Sequence, residues 1–197
     1  MGYVGCNYYS VNDLRDCGCY MKNTFKKDCR YLRMARVWSE NSYAIRLKVG
    51  ALIVSKEGNI ISDGYNGTPS GFENVCEVAE NEFYEPSSNM TDEQKRKVLK
   101  VSLDNGLTKL ITKPYVLHAE ANAITKLARS TQSSNGSTLY VTDMPCTECS
   151  KLIIQAGIRR VVYERPYRIK DGVKLLERAG IEVVNIPSEV LNGGVKS

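Results

Sequence analysis

Short unbroken apolar runs alternate along this chain with longer stretches in which apolar residues return every three or four positions. Over residues 29–43, Leu32, Ala35, Val37 and Trp38 recur among arginines, which predicts an amphipathic helix. Residues 49–54 are apolar throughout, Glu57-Gly58-Asn59 reads as a hairpin turn and Ile60-Ile61 follows, so a two-strand unit is expected. Residues 64–86, rich in Gly, Pro, Asn and Ser, predict a loop, and residues 91–103 a charged helix within an insertion. In 117–128 the apolar residues Ala121, Ile124, Leu127 and Ala128 have helical spacing. Strands are then expected at 138–142, 160–163 and 181–184. Between them the pattern predicts a helix with Pro145 at its first position and Gly157 at its C-terminal cap, then another at 171–179. Residues from Ser188 onward read as a loose tail. Helices that alternate with buried strands in this way build a three-layer α/β/α sandwich.

A length of 197 residues suits one domain, able to bury about 70% of the surface that its unfolded chain exposes. Residues 1–12 lack the apolar run of a signal peptide, and no stretch approaches the length needed to cross a bilayer, so an intracellular, cytoplasmic protein is expected. The formal charge of +5 is mild, and the lysines and arginines are interspersed with acids. That balance favours anionic ligands in general and lacks the basic stripe of a nucleic-acid binder. Seven cysteines in a chain this long do not make a disulfide scaffold, which agrees with a reducing compartment. Cys6, Cys17, Cys19 and Cys29 cluster near the N-terminus, but their spacing matches none of the paired zinc knuckles, and free thiols are expected.

The chemistry is concentrated in two short motifs, His118-Ala119-Glu120 and Pro145-Cys146-Thr147-Glu148-Cys149. Zinc that performs chemistry takes three protein ligands and leaves a fourth position to water, and His118, Cys146 and Cys149 are that number and kind. Glu120 suits a proton carrier better than a ligand, because water on zinc becomes acidic near neutral pH and its proton needs an acceptor. C-x-x-C alone also marks structural zinc and redox pairs, and H-x-E alone is common. Together they form the signature of the zinc deaminases. His118 is the sole histidine of the chain. Residues two apart do not share a helix face, so the spacing of His118 and Glu120 does not by itself bring both to a metal. For the cysteines, a helix beginning at Pro145 would set Cys146 and Cys149 on one face at its N-terminus, where the dipole favours thiolates.

Four further motifs stand beside these: Lys48-Val49-Gly50-Ala51, Gly64-Tyr65-Asn66-Gly67-Thr68-Pro69, Asn122-Ala123-Ile124, and Lys151-Leu152-Ile153-Ile154-Gln155-Ala156-Gly157-Ile158. On these residues the chain resembles the zinc-dependent cytidine and deoxycytidylate deaminase superfamily, and its G-Y-N-G motif is similar to that of the phage-like, allosteric deoxycytidylate branch. The resemblance implies a mixed five-stranded sheet between helical layers. It implies a deaminase domain at 28–187 with an insertion at about 72–116, an N-terminal extension at 1–27 and a tail at 188–197.

The reaction implied by the resemblance is hydrolysis of dCMP to dUMP and ammonia, supplying thymidylate synthesis, by a hydrolase acting on the C–N bond of a cyclic amidine. Zinc-activated water would attack C4 of cytosine, while Glu120 protonates N3 and then carries a proton to the departing amine. Tyr167 would stack on the base and the backbone N–H of Ala119 would meet its carbonyl, with Asn66 also at the substrate. Arg46, Lys48 and Arg168 are the cations available to the phosphate, and the sequence does not choose among them. Gly64, Tyr65, Asn66, Gly67 and Arg129 would form an effector site at which dCTP activates and dTTP inhibits, with Mg2+ accompanying the triphosphate. Lys126 stands where some relatives carry an aromatic residue. A second zinc, which some phage-type members build with extra histidines, cannot be copied here, and Cys76 would be its remnant. The resemblance also implies a homo-oligomer, a trimer or hexamer, and it suits a virus-encoded enzyme acting in the host cytoplasm, with no membrane or nucleic-acid partner. Two other functions share the zinc signature: deamination of cytosine in single-stranded nucleic acid, and nucleotide sensing by a non-catalytic protein with structural zinc. The lack of a basic stripe with interleaved aromatics weighs against the first, and Glu120 with a three-ligand set weighs against the second.

Overall fold

The computed structural model describes residues 19–167 and 170–192. Its first helix, α1 (Cys19–Ser39), starts well before the apolar period becomes legible in the sequence. Phe25 and Cys29 extend the buried stripe of Leu32 and Ala35 toward the N-terminus, while the polar residues Lys26, Lys27 and Asp28 between them hide the period. Residues 19–27 thus share one helix with the segment that packs on the sheet, across the boundary expected at residue 28. Cys6 and Cys17 lie outside the described residues.

β1 (Gly50–Val54) and β2 (Ile60–Tyr65) form the expected antiparallel hairpin, closed by the Ser55 N–H on the Asn59 carbonyl at 2.8 Å. β2 continues through Gly64 and Tyr65, which composition alone had assigned to a loop. With β5 (Thr138–Asp143), β6 (Arg160–Arg165) and β7 (Glu182–Asn185) these strands make, among the described residues, a five-stranded sheet of order β2-β1-β5-β6-β7. β1 runs antiparallel to both neighbours and β5, β6 and β7 run parallel, so the sheet is mixed as expected.

Both faces of this sheet are covered. Ala51, Ile53, Leu139, Val141, Val161 and Val183 face α3 (Ala119–Leu127), α4 (Thr147–Gln155) and α5 (Asp171–Arg178). Leu52, Val54, Tyr140, Val162 and Val184 face α1. Burial on two sides explains why the strands read as unbroken apolar runs instead of alternating ones. One acid is enclosed beneath α1: Asp28 accepts from the Tyr140 hydroxyl at 2.8 Å and from both terminal nitrogens of Arg160 at 2.8 Å, which clamps the helix to β5 and β6. A buried carboxylate persists when it is paired and fully hydrogen-bonded in this way.

The insertion builds a small unit of its own. β3 (Glu77–Ala79) pairs antiparallel with β4 (Leu110–Thr112), and α2 (Asp92–Asp104) is set off by a capping box between Thr91 and Gln94. Val75, Ala79, Leu99 and Leu110 form its core. Three-residue strands offer no period to read, which is why the sequence predicted only the helix. The described part of the expected loose tail is a short helix, α6 (Ser188–Asn192). Leu191 is buried against α1, the Arg33 guanidinium donates to its carbonyl at 2.9 Å, and the Ser188 hydroxyl donates to Glu164 at 2.5 Å. A single buried leucine leaves no pattern in sequence, yet it anchors this turn. No helix of the described residues is long and apolar enough to cross a membrane.

Gly64 fixes how closely α3 approaches the sheet. A Cβ there would lie 2.1 Å from the Ala119 carbonyl oxygen and 2.6 Å from the Ala123 amide nitrogen, both backbone atoms of α3. Beside it the Ser62 hydroxyl donates to the Ala123 carbonyl at 2.7 Å. Gly64→Ala must therefore push α3 off the sheet, and a loss of about 3 kcal/mol in urea unfolding is expected. A loss under about 1 kcal/mol would mean that the contact is softer than its geometry indicates.

Candidate active site

The two motifs meet where the carboxyl end of β5 faces the N-termini of α3 and α4. His118 is the N-cap of α3, with extended backbone angles, and its ring makes no capping bond, which leaves it free to project from the helix end. Glu120 lies in the first turn and is buried. α4 begins at Thr147, two residues beyond the expected Pro145, because Cys146 stays extended and acts as the N-cap. Its Sγ accepts from the Cys149 amide at 3.5 Å, the role that a serine or aspartate oxygen usually plays. Cap geometry thus brings the two sulfurs together.

His118 Nδ1 stands 3.5 Å from Cys146 Sγ and 3.4 Å from Cys149 Sγ, and the ligand atoms of this trio all lie within 4.8 Å of one another. Around a tetrahedral zinc, with bonds near 2.0 Å to nitrogen and 2.3 Å to sulfur, neighbouring ligand atoms are about 3.6 Å apart. The residues present fit zinc. They are the only such group found among the described residues, and Cys76 has no companion ligands there. Cys29 is buried on the sheet-facing side of α1, and that burial pushes its thiol up to about 11.

The electrostatics of the trio favour a metal that displaces a proton. Hydrogen bonds from the Cys149 thiol and from His118 hold Cys146 down at about 3, well inside the thiolate range. Cys149 is pushed up by sharing its proton with Cys146 and by burial, and the hydrogen bond to Cys146 raises His118. Burial lifts the Glu120 carboxyl to about 7. An acid poised near neutral pH can take up and release a proton with similar ease.

A cavity of about 740 Å³ opens over these groups. It gathers most of the expected substrate-side residues: Arg46, Asn66, Ala119, Glu120 and Tyr167 line it together with His118 and Cys146. Tyr167 is exposed, and Arg168 beyond it lies outside the described residues. Ala119, as the first residue of α3, has a backbone N–H without an intrahelical acceptor. Lys48 does not line the cavity; its ammonium donates to the Glu40 carbonyl at 3.3 Å. Asn66 spends both ends of its amide on the wall, accepting from the Val49 N–H at 2.8 Å and donating to the Leu47 carbonyl at 2.9 Å.

A second cavity, of about 340 Å³, lies on the outer side of α3. Tyr65, Gly67 and Arg129 line it as the effector reading expects, and so does Lys126. Gly64 does not, because it is spent on the approach to α3, and Asn66 turns to the larger cavity instead. Gly67 bridges to Leu117 immediately before His118, so a thin partition separates the two spaces.

Three residues that shape the site escaped the sequence reading. Glu77 is buried, and its Oε1 accepts from the Ile45 and Arg46 amides at 3.0 and 3.2 Å. A lone acid inside Val75-Cys76-Glu77-Val78-Ala79 was a signal for it, since such residues are seldom buried unless paired. Arg165 donates to the Lys48 carbonyl at 3.1 Å and pairs with Asp143, its neighbour in the parallel register of β5 and β6. Gly172 of α5 lies so close to the cysteine loop that a Cβ would stand 2.3 Å from the Pro145 carbonyl oxygen. Nothing local in the sequence marks these last two.

Comparison with known proteins adds the following. The family model for the cytidine and deoxycytidylate deaminase zinc-binding region matches residues 25–165. The deoxycytidylate deaminase of Enterobacteria phage T4 is 36% identical over 180 residues, covering 82% of this chain and 90% of that protein. The human deoxycytidylate deaminase is 34% identical over 133 residues, covering 68% of this chain and 61% of its own length. Among solved structures, the dCMP deaminase of cyanophage S-TIM5 in complex with dCMP and dUMP is 35% identical, with a TM-score of 0.60, covering 86% of this chain and 99% of that one.

Metal content tests the trio directly. His118→Ala and Cys149→Ala should bind less than about a tenth of an equivalent of zinc by elemental analysis, whereas Glu120→Gln should hold a full equivalent. Loss of zinc in Glu120→Gln would make the acid a ligand.

Proposed function

The chain belongs to the cytidine and deoxycytidylate deaminase family, and on that premise we propose that it hydrolyses dCMP to dUMP and ammonia, the product supplying thymidylate synthesis. The observation that carries this reading is the convergence of His118 Nδ1 with both sulfurs at 3.4 and 3.5 Å beside a buried acid in one nucleotide-sized cavity. Zinc held by His118, Cys146 and Cys149 would supply the Lewis acid that makes water nucleophilic near neutral pH.

The remaining work belongs to the chain. Glu120 takes one proton from the attacking water and passes it to N3 of the cytosine as C4 is attacked, then takes the proton left on the new hydroxyl and delivers it to the amine as the C–N bond breaks; a carboxyl that burial lifts to about 7 suits a group that must do both. The free Ala119 N–H, at the start of α3, donates to the base carbonyl, and the exposed ring of Tyr167 covers the base. Among the described residues Arg46 is the cation on the cavity wall, and it takes the phosphate in preference to Lys48, whose ammonium is engaged elsewhere. Asn66 acts through the wall it holds.

The second cavity is the proposed effector site, where dCTP activates and dTTP inhibits, with Mg2+ accompanying the triphosphate. Support comes from Tyr65, Gly67 and Arg129, which line a space separate from the first, and from α3, whose N-terminal end borders the first cavity while Asn122, Thr125 and Lys126 border the second. Copies of the chain assemble as a trimer or hexamer.

Ammonia release from the zinc-loaded protein tests the reading. Given dCMP, dCTP, cytidine and a cytosine-containing oligonucleotide, it should turn over dCMP alone, faster with dCTP and slower with dTTP. Glu120→Gln should lower kcat by about 10³-fold or more. Turnover of the oligonucleotide in place of dCMP, or near-normal activity of Glu120→Gln, would overturn the assignment.

A further inference from the structure

The two cations of the second cavity are not equivalent. Among the described residues no acid pairs with the Arg129 guanidinium, whereas Lys126 Nζ sits 2.6 Å from Asp63 Oδ2. The same carboxylate oxygen accepts from the Trp38 indole N–H at 2.7 Å. Asp63 thus has a partner that does not depend on Lys126. The ammonium also lies 5.8 Å from the centroid of the Tyr65 ring, over another wall of the cavity.

We propose that Lys126 is a second phosphate-binding cation of this cavity, held in reserve by Asp63, and that a nucleoside triphosphate draws its ammonium from that carboxylate. The inference rests on the effector reading above and names a chain-specific part of it. Lys126 lies in the last turn of α3 and Arg129 in the turn just beyond it, tied back by its N–H on the Lys126 carbonyl at 3.1 Å, and both line the one cavity, so one polyphosphate can reach both. Their cavity is also lined by Asn122, whose amide gives one hydrogen to the Tyr65 carbonyl at 3.0 Å and keeps the other as a neutral donor. The Lys126–Asp63 pair is about half exposed, with side chains 44% and 31% accessible, and such a pair contributes little to stability. Its four-carbon stem lets the lysine swing, and a polyphosphate carries several charges where Asp63 carries one. The exchange leaves Asp63 on Trp38 and exposed to water, so no charge is stranded.

Asp63 is therefore a competitor for the ligand, and removing it should help binding. The measurement is calorimetric affinity for dTTP at fixed salt, using the full zinc-loaded chain and variants whose thermal melts show that they fold. Lys126→Ala should weaken dTTP about ten-fold, the scale of one charge-assisted hydrogen bond. Asp63→Asn, which keeps an acceptor for the indole, should tighten it about three-fold, and that gain should vanish when Lys126→Ala is also present. Weakening by Arg129→Ala reports that dTTP occupies this cavity; Lys126→Gln stands in if the alanine variant does not fold. Wild-type protein that binds neither dTTP nor dCTP would overturn the effector reading and this inference with it. Wild-type binding with an unaffected Lys126→Ala, or an Asp63→Asn that binds more weakly, would overturn this inference alone.

Discussion

Two helices begin at the same edge of one sheet, and the separation of their N-cap residues governs the candidate active site. His118 caps α3 and Cys146 caps α4, so the ring and the sulfur are carried by backbone that is extended but anchored to a helix on its C-terminal side. Helix N-termini concentrate unpaired N–H groups and positive dipole ends, which favour thiolate and any developing negative charge. The separation is defended by close backbone contacts rather than by side-chain fit. Gly64 lets α3 lie against β2, and Gly172 lets α5 lie against the loop that carries Cys146. Both are places where a single methyl group would be repelled by backbone.

The opposite wall is built on a different principle. Residues 45–49 form no regular element, and their amides and carbonyls would be costly to leave unpaired beside a partly buried cavity. Glu77 from the insertion, Asn66 from the end of β2 and Arg165 from β6 each spend hydrogen bonds on that backbone. Polar side chains from three distant parts of the chain thereby fix the position from which Arg46 enters the cavity. The arrangement gives the insertion a part in shaping the site without placing a reactive group there.

The layered architecture and the metal trio could be read from the chain because each is written locally. Fully buried strands leave unbroken apolar runs, and ligand chemistry restricts residue type at fixed spacing. Features that depend on pairing between remote segments left no such trace. The capping role of Cys146, the Asp143–Arg165 partnership and the anchoring of Leu191 all follow from register or docking. α1 was recognised too late in the chain because the buried Asp28 looks like a surface residue until Tyr140 and Arg160 are seen to close around it. Composition puts Gly64 in a loop, whereas its backbone is an ordinary strand and the absence of a side chain is what matters. Lys48 shows the reverse failure: a cation in a suggestive motif whose charge is directed elsewhere.

Asp63 sits on β2, the outermost strand of the sheet, and it is met by Trp38 from one helical layer and Lys126 from the other. An exposed edge strand is a template for pairing with another chain unless charge or a covering group blunts it. Here a lysine and an indole fold over the rim of the sandwich and converge on one carboxylate, so an incoming strand would have to part both before it could align. At Asp63 the rim is thereby blunted against sheet extension, by side chains that belong to the two helical layers and not to the strand itself.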